Sequence, residues 1–115
     1  MSGSSKEGVS HIAVIGAGAW GTALAQGWAL EGKRITLLAR DSAAADALND
    51  TRENRGYLPG IPLSSRIAIT GDPAGLKEAS TIALVIPAQA LRSVLMDIGD
   101  HIPPDATLIL CAKGI

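Results

Sequence analysis

Apolar positions fall in five short blocks separated by helical or polar stretches. The first, His11-Ile12-Ala13-Val14-Ile15, is rich in β-branched residues and is stopped by Gly16. A short apolar run of this kind predicts a strand buried on both faces. From about Trp20 to Glu31 the pattern turns helical, with Leu24 and Trp28 four residues apart, and Gly32 stands where a helix ends. Ile35-Thr36-Leu37-Leu38-Ala39 then predicts a second strand. Strand, helix and strand occupy about 30 residues, the size of one βαβ unit.

The alternation continues. Asp41 or Ser42 can cap a short Ala-rich helix over residues 42–49. Residues 50–66 are polar, then punctuated by Pro and Gly, and read as a long loop. Ile67-Ala68-Ile69 is a brief third strand. Gly71-Asp72-Pro73 is a turn, with Asp72 as N-cap and Pro73 at the first helical position. Residues 81–86 make a fourth strand, stopped by Pro87. Leu91, Val94, Leu95 and Ile98 mark one face of a helix. After Pro103-Pro104, residues 106–110 form a fifth strand. The expected fold class is α/β: a Rossmann-type doubly wound parallel sheet, covered on both faces, in the order 3-2-1-4-5. Its ligand crevice lies beside strand 1.

Composition narrows the function. With 115 residues, 47% hydrophobic and 18% charged, one domain with a core is expected. Ten basic residues against 11 acidic ones give a net charge of −1 and no general nucleic-acid surface. No apolar run approaches the roughly 18–20 residues of a membrane span. The opening MSGSSKEGVS lacks the apolar stretch of a secretory signal, and residues 1–10 read as a flexible leader. Cys111 is the single cysteine, which leaves no intrachain disulfide and no multi-cysteine metal site; a cytoplasmic, reducing compartment fits. Aromatics are limited to Trp20, Trp28 and Tyr57. A core of Ala, Ile, Leu and Val suits helices packed closely on a sheet.

The chemistry begins after strand 1. Gly16-Ala17-Gly18-Ala19-Trp20-Gly21 is G-x-G-x-x-G, leaving a strand and opening a helix inside a βαβ unit. That placement makes the motif a dinucleotide fingerprint. Gly16 takes the tight turn, Gly18 lets the backbone approach a pyrophosphate, and Gly21 lets the helix press on the strand. The helix N-terminus faces the phosphates. Trp20 reads two ways: as packing, or as a shield over the pyrophosphate or nicotinamide.

About 20 residues on, an acidic residue ordinarily binds the ribose. Here Arg40 ends strand 2, and Asp41 follows it. A guanidinium pairs with a 2′-phosphate and stacks on adenine, which favours NADP(H). Asp41 keeps NAD(H) open, and an N-cap role accounts for it equally well.

Several segments together resemble the amino-terminal domain of the NAD(P)-dependent glycerol-3-phosphate dehydrogenases. They are residues 12–25, then Leu38-Ala39-Arg40-Asp41, Asn54-Arg55-Gly56-Tyr57-Leu58-Pro59-Gly60-Ile61, Ile86-Pro87-Ala88-Gln89-Ala90-Leu91-Arg92, and Cys111-Ala112-Lys113-Gly114-Ile115. The tryptophan in the glycine loop, the Tyr-Leu-Pro-Gly stretch and the terminal Lys-Gly-Ile are more specific than the glycines. The resemblance implies interconversion of sn-glycerol 3-phosphate, a small phosphorylated triol, and the triose dihydroxyacetone phosphate. Hydride would be exchanged at the nicotinamide C4, in support of phospholipid synthesis.

By the same resemblance, Ala19, Trp20, Arg40 and Lys113 contact the cofactor, and Lys113 also reaches the substrate. Ala19 replaces the family's usual serine, which removes a side-chain contact and keeps the backbone N–H. Tyr57 belongs to the adenine side, and Pro87 and Gln89 to the nicotinamide half. Locally, Pro87 also reads as a strand stop and Gln89 as a helix-start residue. Lys113, at a strand's carboxyl end, stands where ligands of open α/β sheets gather, and its charge suits an anionic substrate.

Family members have about three hundred residues in two domains. The second, helical domain supplies the principal catalytic lysine. Residues 11–115 therefore read as a dinucleotide-binding domain incomplete at its C-terminal end, truncated before that helical domain and inactive alone. An uncovered strand edge with exposed apolar surface predicts self-association. Two rival readings are a related 3-hydroxyacid or nucleotide-sugar dehydrogenase and a non-catalytic dinucleotide-sensing module. Neither explains Lys113-Gly114-Ile115.

Overall fold

The computed structural model describes residues 10–53, 60 and 62–111. β1 (His11–Ile15) leads into α1 (Ala19–Leu30), and β2 (Arg34–Leu38) into α2 (Ser42–Thr51). β3 (Ile67–Thr70) is followed by one 3-10 turn, Pro73–Leu76. β4 (Thr81–Leu84) precedes a 3-10 turn, Ala88–Ala90, that runs into α3 (Leu91–Ile98). β5 (Thr107–Leu110) completes a sheet ordered β3-β2-β1-β4-β5, parallel throughout, as the alternation predicts.

Side chains alternate across the sheet with the period of two that strands impose. Ile12 and Val14 join Ile35, Leu37, Ala83 and Val85 in one core layer, completed by Ala25 and Ala29 of α1 and Ala45 of α2. Ala13 and Ile15 join Leu38, Ile82 and Leu84 in the opposite layer, completed by Leu76 and by Ile98 of α3. The face of α1 buried against the sheet is made of Thr22, Ala25 and Ala29, small residues that let the helix lie close to the strands.

The caps follow local chemistry. Gly32, at φ +93°, ends α1: its N–H donates to Ala29 O and that of Lys33 donates to Trp28 O, the paired bonds of a Schellman motif. α2 starts on Asp41, whose Oδ1 accepts from the Ala44 N–H at 2.8 Å. It ends at Arg52, in the left-handed region at φ 53°. The Arg52 guanidinium donates to Ser64 O and Ile67 O, at 2.8 and 2.9 Å, and so ties the end of α2 to the start of β3. Gln26 of α1 donates to Pro62 O and accepts from the Ser64 N–H, pinning the same stretch from the other side.

Three expectations need correction. The fourth strand ends at Leu84 rather than at residue 86, because Gly16 turns β1 away and leaves β4 without a neighbour beyond Ile15. One further ladder bond survives, from Val85 N–H to Ile15 O at 2.9 Å. The helix expected from Pro73 is only a single 3-10 turn. The connection 71–80 must recross the sheet, and extended chain covers about 3.3 Å per residue where a helix covers about 1.5 Å. Finally, the sheet is not covered throughout. Leu108, Ile109 and Leu110 of β5 are 49, 38 and 58% exposed, because β4 is the neighbour against which β5 is built. Residues 1–9 of the expected leader lie outside the described residues; Ser10 O accepts from the Arg34 N–H.

Candidate functional site

The register sets Ile15 level with Leu38 and with Leu84, so β1, β2 and β4 end together. The loops that follow them meet at this edge. Gly16 joins them, its N–H donating to Leu38 O at 3.2 Å. A Cβ at Gly16 would lie 2.2 Å from Val85 O, and its φ is +110°. A Cβ at Gly21 would lie 1.7 Å from Gly16 O. The protein's own packing therefore demands glycine at both positions.

Gly18 is different. A Cβ there would meet nothing within 4 Å. It is the N-cap of α1, and its lack of a side chain leaves the helix end without a side-chain cap. Internal packing gives no reason for glycine here, whereas close approach of a phosphate does. Thr22, fully buried, donates from Oγ1 to Ala17 O at 3.2 Å and braces the loop from beneath. A lone threonine after the third glycine carries no sequence signal for that role.

Other predicted residues stand around this loop. Ala19 opens α1. Trp20 is 44% exposed in the first turn, whereas Trp28 packs partly buried against the core. Arg40 is exposed beyond β2, with Nε 3.6 Å from Asp41 Oδ2. Asp41 thus serves the cap with one carboxylate oxygen and faces Arg40 with the other. Pro87 and Gln89 are exposed past β4, where Pro87 begins the 3-10 turn and its carbonyl accepts from the Ala90 N–H. Tyr57 and Lys113 lie outside the described residues.

Next to the loop, between the ends of β1 and β2 and the flank of α3, is a cleft of about 310 Å³. Ile15, Leu38, Pro73 and Val94 give it apolar walls, and Arg40 and Asp97 give it polar ends. Asp97 and the turn at Gly71 are residues the sequence reading did not single out; an acidic residue on an exposed helix face carries no mark of its own. Among the described residues no group of three or more His, Cys, Asp or Glu is placed to hold a metal. Nor is any helix among them long and apolar enough to cross a membrane.

His11 lies at the opposite, amino-terminal edge. Its Nε2 is 2.8 Å from Thr36 Oγ1, while its buried Nδ1 has no hydrogen-bond partner among the described residues. Burial, then the Arg34 charge, lower its pKa below the ordinary 6.5, and the Glu78 carboxylate and a backbone contact at Glu78 oppose this.

Comparison with known proteins places this geometry in a lineage. The family described as NAD-dependent glycerol-3-phosphate dehydrogenase N-terminus matches residues 11–115. That span includes the Tyr57 stretch and Lys113-Gly114-Ile115, which the rival readings leave unexplained. A relative from Bradyrhizobium sp. strain BTAi1, named glycerol-3-phosphate dehydrogenase [NAD(P)+], is 52% identical over 104 residues, covering 90% of this chain and 32% of its own. A Rhodospirillum rubrum protein of the same name is 47% identical, covering 93% and 31%. Among solved structures, a glycerol-3-phosphate dehydrogenase from Coxiella burnetii superposes with a TM-score of 0.83 at 30% identity, over 92% of this chain and 33% of that one. The chain spans about a third of the length of the curated relatives it matches. With the matched family covering every residue from 11 onward, the chain belongs to the amino-terminal family of the NAD-dependent glycerol-3-phosphate dehydrogenases.

Proposed function

We propose that this chain is the cofactor-binding portion of an enzyme that interconverts sn-glycerol 3-phosphate and dihydroxyacetone phosphate, feeding glycerophospholipid synthesis. The observation that carries the reading is the bare backbone of Gly18 at an uncapped helix N-terminus, level with Arg40 on the same sheet edge. A pyrophosphate fits the first, and an anionic ribose substituent fits the second. Bound there, NADP(H) or NAD(H) supplies hydride exchange at the nicotinamide C4.

In this reading Gly16, Gly18, Ala19 and Gly21 bring backbone to the pyrophosphate. Trp20 shields it from water. Arg40 binds the 2′-phosphate, so NADP(H) is preferred, and Asp41 holds the loop by capping α2. Tyr57 serves the adenine side, and Pro87 and Gln89 flank the nicotinamide half. Lys113 carries positive charge towards cofactor and substrate phosphate. The principal catalytic lysine is assigned to a helical second domain like that implied by the family's two-domain length, so the 115 residues bind cofactor without turnover.

Separate titrations of NADPH and NADH, followed by tryptophan fluorescence, test this. Saturable binding with NADPH tighter is expected, with thermal stabilisation of about 2.7 kcal/mol at 100 times the dissociation constant. A folded chain that binds neither overturns the reading. Tighter NADH moves ribose recognition from Arg40 to Asp41.

The exposed apolar residues of β5 and its free edge also support self-association of the chain. Light scattering that returns a monomer mass across a concentration series would count against it. The compartment we assign is the cytoplasm, where a free Cys111 stays reduced.

A further inference from the structure

The cleft beside Arg40 has a chemistry of its own. At about 310 Å³ it is at the small end of ligand cavities, which run about 300–1,000 Å³. Ile15, Leu38, Pro73 and Val94 offer apolar surface, suited to the faces of a flat heteroaromatic ring. Asp97, on α3, is the sole carboxylate of its lining. A carboxylate accepts hydrogen bonds and donates none. The ring it favours therefore presents an amine at its edge.

We infer that Asp97 reads the base of the dinucleotide, accepting a hydrogen bond from the exocyclic amine of adenine. The inference rests on the reading of Arg40 as the 2′-phosphate contact. That phosphate is carried by the adenosine ribose, so the base joined to the same ribose enters the cleft that Arg40 borders. Asp97 then discriminates between purines. Hypoxanthine places a carbonyl oxygen where adenine has its amine, and two acceptors face each other.

The test uses the full chain and calorimetric titration with NADP, its hypoxanthine analogue and its 3-acetylpyridine analogue. The second alters the adenine end alone, and the third removes the amide N–H₂ at the nicotinamide end. Wild type is expected to bind NADP about tenfold more tightly than the hypoxanthine analogue. Asp97→Asn and Asp97→Ala are expected to bring that ratio close to one. The amide of asparagine can donate to the hypoxanthine carbonyl, so its variant gains affinity for that analogue. Asp97 lies on the exposed face of α3, and the thermal midpoints of both variants should match wild type.

A ratio near one in wild type, or a ratio untouched by either substitution, overturns the proposal while leaving cofactor binding intact. Dependence on Asp97 that follows the acetylpyridine analogue instead also overturns it, by placing the nicotinamide end in the cleft. Absence of binding by every dinucleotide to a folded chain fails the proposed function itself, and Asp97 with it.

Discussion

Gly71 lies flat against the peptide that follows Asp41: a Cβ at Gly71 would stand 2.4 Å from the Asp41 carbonyl carbon and 2.5 Å from Ser42 N. The turn after β3 thereby supports the corner that carries Arg40 and Asp41. Gly71→Ala must push backbone against backbone, which costs about 1–3 kcal/mol for overpacking. It should lower the thermal midpoint and shrink the preference for NADPH over NADH. An unchanged midpoint with an unchanged preference would show that the corner does not rely on this contact.

The glycines of the loop separate packing from binding. Gly21→Ala forces a methyl into Gly16 O and should lose about 1–3 kcal/mol or more of stability together with dinucleotide binding. Gly18→Ala meets open space and should cost less than about 1 kcal/mol, as a change of cap residue. Its dinucleotide affinity should nevertheless fall at least about tenfold, because the methyl obstructs the pyrophosphate. Denaturant unfolding paired with titration distinguishes the two. Undiminished binding by Gly18→Ala would remove the pyrophosphate from this position.

Arg40 and Asp41 have separable duties. Arg40→Ala should weaken NADPH about tenfold or more and leave NADH little changed, since only NADPH carries the 2′-phosphate. Asp41→Ala should cost about 0.5–2 kcal/mol through loss of the α2 cap, and Asp41→Asn should retain most of that stability. Equal weakening of both cofactors by Arg40→Ala would mean that Arg40 contacts a part common to both. The exposed Arg40–Asp41 pair itself contributes little.

His11 links stability to pH. Its folded pKa is below 6.5, so the unfolded chain binds more protons in the window beneath that value. Its contribution is fully present above pH 6.5 and is lost as pH falls through the lowered folded pKa. Protonation puts an N–H on both ring nitrogens, one of them the buried, unpartnered Nδ1 and both near the charge of Arg34. Relative to wild type, His11→Gln should flatten the fall in thermal midpoint between pH 7 and pH 5. An identical slope in the two proteins would assign the effect elsewhere.

The strand order was legible because apolar periodicity and breakers are local. Gly16 and Gly32 carry their positions in residue type alone, since only glycine takes their positive φ cheaply. The crevice beside β1 was legible for the same reason: the glycine loop leaves a strand and starts a helix. The alternatives for Asp41 could not be decided locally, because the same carboxylate suits a ribose and a helix start; the bond to the Ala44 N–H makes it the cap.

By itself, then, the sequence determined the five parallel strands, the loop between β1 and α1, and the family to which they belong. Tertiary structure decided what depends on residues far apart in the chain. Gly71 must be small because Asp41 passes over it, and Gly18 is bare because nothing in the protein fills the space before it. Asp97 borders the same cleft as Arg40 because α3 packs through Ile98 into the layer that contains Ile15 and Leu38. Strand lengths were likewise settled by neighbours, β4 ending where β1 turns away. Periodicity records which face of a segment is buried; it holds no record of which distant backbone lies against it, and that contact sets both the room at a site and the charge that borders it.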